Sequence, residues 1–375
     1  MFYIQRFNSF FSQTLFCIVS FLLSIRTVIS YSYYDLDIVL NLLAIVIWGS
    51  VFIIIFANSY TLRDFLFSLV LFVLGVFIYK NSKSLIPFYT ILFLIAAKGK
   101  KIESAVKAYF KGMFVSLLFI IGCYSAEIIS TSIVDGNSLG FINPNITSFF
   151  VTELILLYIF LRYRKISILD FLILIPIVIL IGKITGCRTG SVLIFIILLV
   201  LFFIKVSRLF RFYICKYIFL GCIFILLFCI LGLIFVNIND FFAKANELLS
   251  GRFSLAQVYV GIYGIHPFGV DIKDASEQGF GHLVLDMGYF SCLVQFGVVY
   301  FTVFIGMYFL LLQQKRKEKE FSSIILIFAV FLGLVSESHW IPIANNIITL
   351  LCVQILFSKR HKQNGKFIKL IFKRQ

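Results

Sequence analysis

Residues 237–288 read NINDFFAKANELLSGRFSLAQVYVGIYGIHPFGVDIKDASEQGFGHLVLDMG. This is the one long polar segment of the chain. It holds two of the four histidines, three basic residues and six of the seventeen acids. Long apolar runs bound it on both sides, and a polar loop of this length between two membrane segments is uncommon unless it has a task. The flanking runs set the fold class, and the loop is the expected working face.

Working outward, apolar runs of about 15–25 residues recur along the whole chain. Hydrophobic residues make up 61% and charged residues 13%, with a mean hydropathy of +1.04. A soluble globular chain is nearer about 45–50% apolar and 25% charged. Runs of this length are transmembrane helices, since a barrel shows short alternating segments. The expectation is therefore an all-α polytopic membrane protein, one integral domain over residues 1–375. Twelve spans are expected, at about 10–30, 38–58, 65–79, 85–97, 113–131, 147–161, 169–182, 191–204, 217–236, 289–312, 321–334 and 343–357. The large loop falls between spans 9 and 10. Segment 85–97 is short enough to be re-entrant. Arg6 precedes the first run without a small-residue cleavage site, so that run reads as an uncleaved span.

The net charge of +16 would point to nucleic acid in a soluble protein. Here its distribution sets orientation. With the N-terminus inside, 25 of the 33 basic residues fall in inner loops and the 359–374 tail, and seven fall outside: Lys80, Lys83, Lys183, Arg188, Lys244, Arg252 and Lys273. That bias puts both termini in the cytoplasm and residues 237–288 outside. The inner loops lack a Walker A or GxGxxG sequence, so no nucleotide, cofactor or nucleic-acid partner is expected. The eight cysteines lie mostly inside apolar runs without CxxC spacing and read as small buried hydrophobes, not zinc ligands.

Basic residues are scarce outside, and each asks for a reason. Arg188 sits in Gly186-Cys187-Arg188-Thr189-Gly190-Ser191, where glycines let the backbone approach a ligand and Thr189 and Ser191 add hydroxyls. Arg252 follows Gly251 in the long loop. Two guanidinium groups suit a diphosphate, as ligand and as leaving group. His266 ends an apolar stretch at a Pro-Gly turn and is a substrate-binding candidate. If residues 281–289 are helical, His282 and Asp286 share a face, with Tyr289 three residues on, and the pair could take a proton from a sugar hydroxyl. Glu127, Glu153 and Glu337 lie in or beside spans, where an ionisable group is a functional candidate with a partner to be found, Arg26 being one. Asp35 and Asp37 are spaced like a divalent-metal pair, but two acids in an outer loop need no metal, and none is expected.

Taken together, these motifs resemble the Wzy-type polymerases of O-antigen and capsular polysaccharide, and more distantly the O-antigen ligases. The resemblance rests on Gly140-Phe141-Ile142-Asn143-Pro144-Asn145, Thr185-Gly186-Cys187-Arg188-Thr189-Gly190, Gly251-Arg252, Pro267-Phe268-Gly269, Asp286-Met287-Gly288-Tyr289 followed by Gly297, and Glu337 with Asn345 and Asn346. It covers about residues 100–357. Cys187 stands where the family often has Ser, and the ligases' His-Asn-x-x-Leu pattern is only partly met. The resemblance implies a glycosyltransferase that joins undecaprenyl-diphosphate-linked repeat units at the outer face of a bacterial cytoplasmic membrane, with the lipid-linked glycan donor and acceptor, membrane lipids, a flippase and a chain-length regulator as partners. Catalytic roles would fall to Arg188, Arg252, His282 and Asp286. Substrate contacts would come from Asn145, Thr189, Ser191, His266, Tyr289 and Glu337. The rival readings are a ligase, a metal-dependent lipid-linked-sugar glycosyltransferase using Asp35 and Asp37, and a flippase or exporter of the same glycolipid.

Overall fold

A computed structural model describes residues 9–33, 36–129, 137–272 and 285–357. Those residues form helices, with no strand among them beyond one isolated bridge between Ser32 and Phe141. Among the described residues nine helices are long and apolar enough to cross a membrane. They are α1 (Ser9–Ser30), α2 (Asp37–Ala57), α3 (Leu62–Ser82), α5 (Ile102–Ser125), α6 (Pro144–Arg162), α7 (Ile168–Thr185), α8 (Arg188–Val206), α9 (Arg208–Phe235) and α13 (Gly297–Glu318). The protein is an all-α, multi-pass membrane protein.

Solvation by lipid explains which residues face outward. Ile45 and Phe56 on α2, Leu62 on α3 and Phe224 on α9 are largely exposed. In water such faces would aggregate; in hydrocarbon they are neutral, and every backbone group is satisfied within its own helix. By contrast α6 is enclosed for most of its length, with Ile146 through Glu153 all buried. It is the central post of the bundle, packed by α5, α7, α8 and α14 (Phe321–Gly333).

Among the described residues three apolar helical segments are shorter: α4 (Ile86–Ala96), α14, and a stretch spanning Ile347–Leu356. They fall at the expected segments 85–97, 321–334 and 343–357. Eleven residues of α4 rise only about 16 Å, against about 30 Å of hydrocarbon. Its last carbonyls are capped from outside, by the Asn58 side-chain amide donating to Ile95 and Ala96. The stretch after α14 is not one helix. A 3₁₀ turn at Ser338–Trp340 leads to a second 3₁₀ stretch at Ile347–Cys352, which ends in the single turn α15 (Val353–Leu356). Irregular backbone of this kind survives at membrane depth only when protein encloses it, and Ile347 through Cys352 are all buried.

The expected tenth span is also broken. Helix α12 (Gly288–Gln295) stops at Phe296, and α13 starts afresh at Gly297. The polar loop explains the break. The carbonyls of His266 and Pro267 accept the Val298 and Val299 backbone N–H groups at 3.0 and 3.1 Å, so the loop caps α13 from outside. The fit requires glycine on both sides. Gly297 has φ +87°, and a Cβ there would stand 2.2 Å from the Gly269 nitrogen. Within the loop, α10 (Asp240–Leu248) and α11 (Arg252–Tyr263) form a tight corner over the end of α9. That face is the loop end of the bundle. The opposite, basic end carries Lys98, Lys205 and Lys315, which are held by Asp64, the Tyr163 carbonyl, and Glu318 with Glu320.

Candidate functional site

Arg252 is the first residue of α11, and the α10–α11 corner fixes its place. The chain reverses through Ser250 and Gly251, both with positive φ. The Asn246 side-chain oxygen then accepts the Phe253 and Ser254 N–H groups, capping α11 from the preceding helix. Gln257, one turn further along, bonds Asn237 and the Leu233 carbonyl at the end of α9. Arg252 therefore enters the bundle from a braced position, and its residue is only 7% exposed.

Its guanidinium meets two carboxylates. Nη2 lies 3.1 Å from Glu337 Oε1 and 3.8 Å from Asp286 Oδ2. Glu337 sits in the turn after α14, with its N–H donated to the Gly333 carbonyl at 2.9 Å. Gly288 packs directly on this turn, since a Cβ on it would come within 2.8 Å of the Glu337 carbonyl oxygen. The Thr189 side chain lies beside Glu337 in the lining of one crevice. Burial pushes the Glu337 carboxyl up, Arg252 opposes the shift and Asp286 adds to it, leaving the group at about 7. Asp286 is likewise raised by burial against the pull of Arg252. A carboxyl poised near neutrality between a cation and a second acid can exchange a proton under working conditions.

Beside Glu337 runs a narrow crevice lined by Asn145, Ser148 and Thr152 of α6, by Thr189 and Gly190 of α8, and by Ser336 and Trp340. Helices α6 and α8 both begin here. Asn143 takes up the first N–H groups of α6, which starts on Pro144, whereas α8 has no side-chain cap and leaves its first N–H groups at the crevice. Arg188 opens α8, is exposed, and makes no ion pair among the described residues. The arrangement sets a proton acceptor beside the uncapped start of α8, a helix end that favours negative charge.

The structure thus gathers Arg252, Asp286, Glu337, Thr189 and Asn145, with Arg188 adjoining. It does not gather Ser191, His266 or Tyr289. Ser191 donates to the Cys187 carbonyl at 3.3 Å and closes the α7–α8 corner. His266 is exposed, its Nε2 is 2.8 Å from the Tyr263 carbonyl oxygen, and its own carbonyl caps α13. Tyr289 is buried and donates to the Phe331 carbonyl at 2.9 Å. His282 and Asp35 lie outside the described residues. The expected helical face joining Asp286 to Tyr289 is absent, because Leu285 to Met287 are non-helical and α12 begins at Gly288. Arg26 pairs with neither Glu153 nor Glu337. Its Nε donates to the Leu40 carbonyl at 3.2 Å, while Arg252 serves Glu337. Among the described residues no group of three His, Cys, Asp or Glu is placed to hold a metal ion.

Sequence reasoning overlooked Ser148, Thr152 and Trp340. The two hydroxyls lie one turn apart on α6, on the same face as Asn145, and that period was the available signal. No family model, no curated protein and no solved structure matches the chain.

Proposed function

We propose that this protein is a polysaccharide polymerase, a glycosyltransferase that joins undecaprenyl-diphosphate-linked repeat units in a bacterial cytoplasmic membrane. In this reading the chain crosses twelve times, both termini are cytoplasmic and the loop end faces outward. The observation that carries it is the meeting of the starts of α6 and α8 at a crevice beside Arg188, with Glu337 of the Arg252–Glu337 pair in its wall. The first group suits a diphosphate. The second suits an acceptor hydroxyl.

The acceptor sugar oxygen attacks the anomeric carbon of the donor chain. The bond from that carbon to the diphosphate oxygen breaks, and undecaprenyl diphosphate leaves with the electron pair. Glu337 takes the hydroxyl proton, the role first expected of the His282–Asp286 pair, because its carboxyl titrates at about 7 and lines the crevice. Arg252 and Thr189 orient the carboxylate, and Asp286 tunes it by charge. Arg188 and the uncapped start of α8 offset the charge that develops on the leaving group. The activated donor drives the step, so no nucleotide is consumed.

The test is reconstitution. Purified protein in lipid nanodiscs, given a lipid-linked repeat unit, should produce a ladder of lengthening glycans and release undecaprenyl diphosphate in equal steps. The ladder should persist in excess EDTA. Activity lost in EDTA and restored by Mn²⁺ would favour the metal-dependent glycosyltransferase. Transport of the intact unit without lengthening would favour an exporter.

A further inference from the structure

Glu153 lies within α6, next to Thr152 but outside the crevice lining, and its residue is completely buried. Oε1 accepts the Ile347 backbone N–H at 3.4 Å, while Oε2 is enclosed without a hydrogen-bond partner. No Lys, Arg or His pairs with it among the described residues. Asn346, the neighbour of Ile347, has the complementary defect. Its Nδ2 donates to the Trp340 carbonyl at 2.8 Å and to the Tyr308 hydroxyl at 3.2 Å, which sets the direction of the amide. That leaves Asn346 Oδ1 buried and unpartnered.

Two unfilled oxygens thus belong to residues that meet at one backbone N–H. A bare carboxylate at such a place is among the costliest groups a protein can bury. Two acceptors satisfy each other only through a hydrogen between them. We propose that Glu153 is a proton-binding site: it carries a proton on Oε2 and donates it to Asn346 Oδ1, fastening the broken segment after α14 to the central helix α6.

The groups packed around Glu153 suit a neutral acid. Tyr109 of α5 faces it and donates to the Ala344 carbonyl at 2.7 Å. Tyr31, beyond α1, accepts from Asn345 at 3.3 Å and meets the His339 ring edge-on. Tyr308 of α13 shares a hydrogen with Thr349. Helix α14 contains no titratable residue, and α7 and α8 carry Asp170, Lys183, Arg188 and Lys205 toward their ends. Nothing there supplies a permanent positive charge, and only a phenol, which ionises near pH 10 in water, adjoins the carboxyl. Through Asn346 the proton also holds Trp340, which lines the crevice three residues beyond Glu337. The inference does not depend on the polymerase reading.

The test uses the full-length protein in detergent or nanodiscs. Glu153→Gln keeps an acceptor for Ile347 and supplies an N–H for Asn346, so its melting temperature should stay within about 2 °C of wild type. Glu153→Leu strands two buried polar groups and should melt at least about 4 °C lower. At pH 9, where Glu337 is ionised, infrared spectra of protein carrying ¹³C-labelled Glu should show a protonated carboxyl band that Glu153→Gln lacks. Equal damage from Gln and Leu would overturn the proposal, as would absence of that band. So would a melting temperature raised by sodium over choline in wild type but not in Glu153→Gln, which would assign the site to a metal cation instead.

Discussion

Arg252→Gln and Asp286→Asn should move the titration of Glu337 in opposite directions. In the wild type the carboxyl sits at about 7, with Arg252 pulling it down and Asp286 pushing it up. If Glu337 accepts the proton, polymerisation should rise with pH along a limb centred near 7, and at pH 6 only about a tenth of the sites are ionised. A charge within about 4–6 Å shifts a carboxyl by about one to three units. Removing the guanidinium 3.1 Å away should carry the limb to about 8 or higher. Removing the Asp286 charge should carry it to about 6, a smaller step, since Asp286 reaches Glu337 across the shared arginine. Stability follows the same group with its own sign. A carboxyl raised from 4.5 to about 7 favours the folded state fully below pH 4.5, and the advantage is lost as pH rises through 7. At 1.36 kcal/mol per unit this is about 3 kcal/mol. Melting should therefore fall over that window in wild type, and less so in Glu337→Gln. The assay is glycan ladder length per unit time in nanodiscs from pH 5.5 to 9. A common midpoint for all three proteins, or an acid shift in Arg252→Gln, would refute the assignment.

The two arginines should separate by readout. Arg252→Ala leaves Glu337 and Asp286 without their cation and should cost about 3–5 kcal/mol in stability. Arg188→Ala removes an exposed side chain, so melting should hold while polymerisation falls about 10²–10³-fold. Gly297→Ala should lower stability by more than about 1 kcal/mol, because its left-handed backbone and the Gly269 nitrogen leave no room; unchanged melting would show that the loop does not brace α13. For orientation, Leu248→Cys in α10 should react with an impermeant thiol reagent on intact cells and Gln363→Cys should not, after the native cysteines are replaced. The reverse pattern would invert the proposed topology.

Helical membrane architecture was legible in the sequence because hydrocarbon imposes one requirement, an unbroken apolar run, that composition reports directly. The exceptions were not legible for the same reason. Residues 343–357 are apolar whether they run as α-helix or as 3₁₀ turns, and only packing against α5, α13 and α14 decides between them. Segment 289–312 likewise hides its break, because the carbonyls that cap α13 come from His266 and Pro267 some thirty residues earlier. In the site, the types were readable and the partners were not. Arg252 and Glu337 are 85 positions apart, and their pairing exists only once α11 and the end of α14 meet. Arg26 was the nearer guess because it too lies in an apolar run.

The broken stretch between Glu337 and Phe357 bears on how the protein is made. The Ala344 carbonyl, the Ile347 N–H and the Thr349 hydroxyl find their partners in Tyr109, Glu153 and Tyr308, and none of these contacts exists for the stretch alone in lipid. A nascent chain leaving the insertion machinery therefore cannot park this segment in the bilayer as it can α2 or α3. The segment must enter a cleft already framed by α1, α5, α6 and α13, as the closing piece of assembly. Because it carries Glu337 and Trp340, the crevice has no finished wall until that moment, and a ribosome stalled before residue 337 holds a membrane-inserted but incomplete bundle. On the polymerase reading, the proton acceptor comes into place only with this late docking.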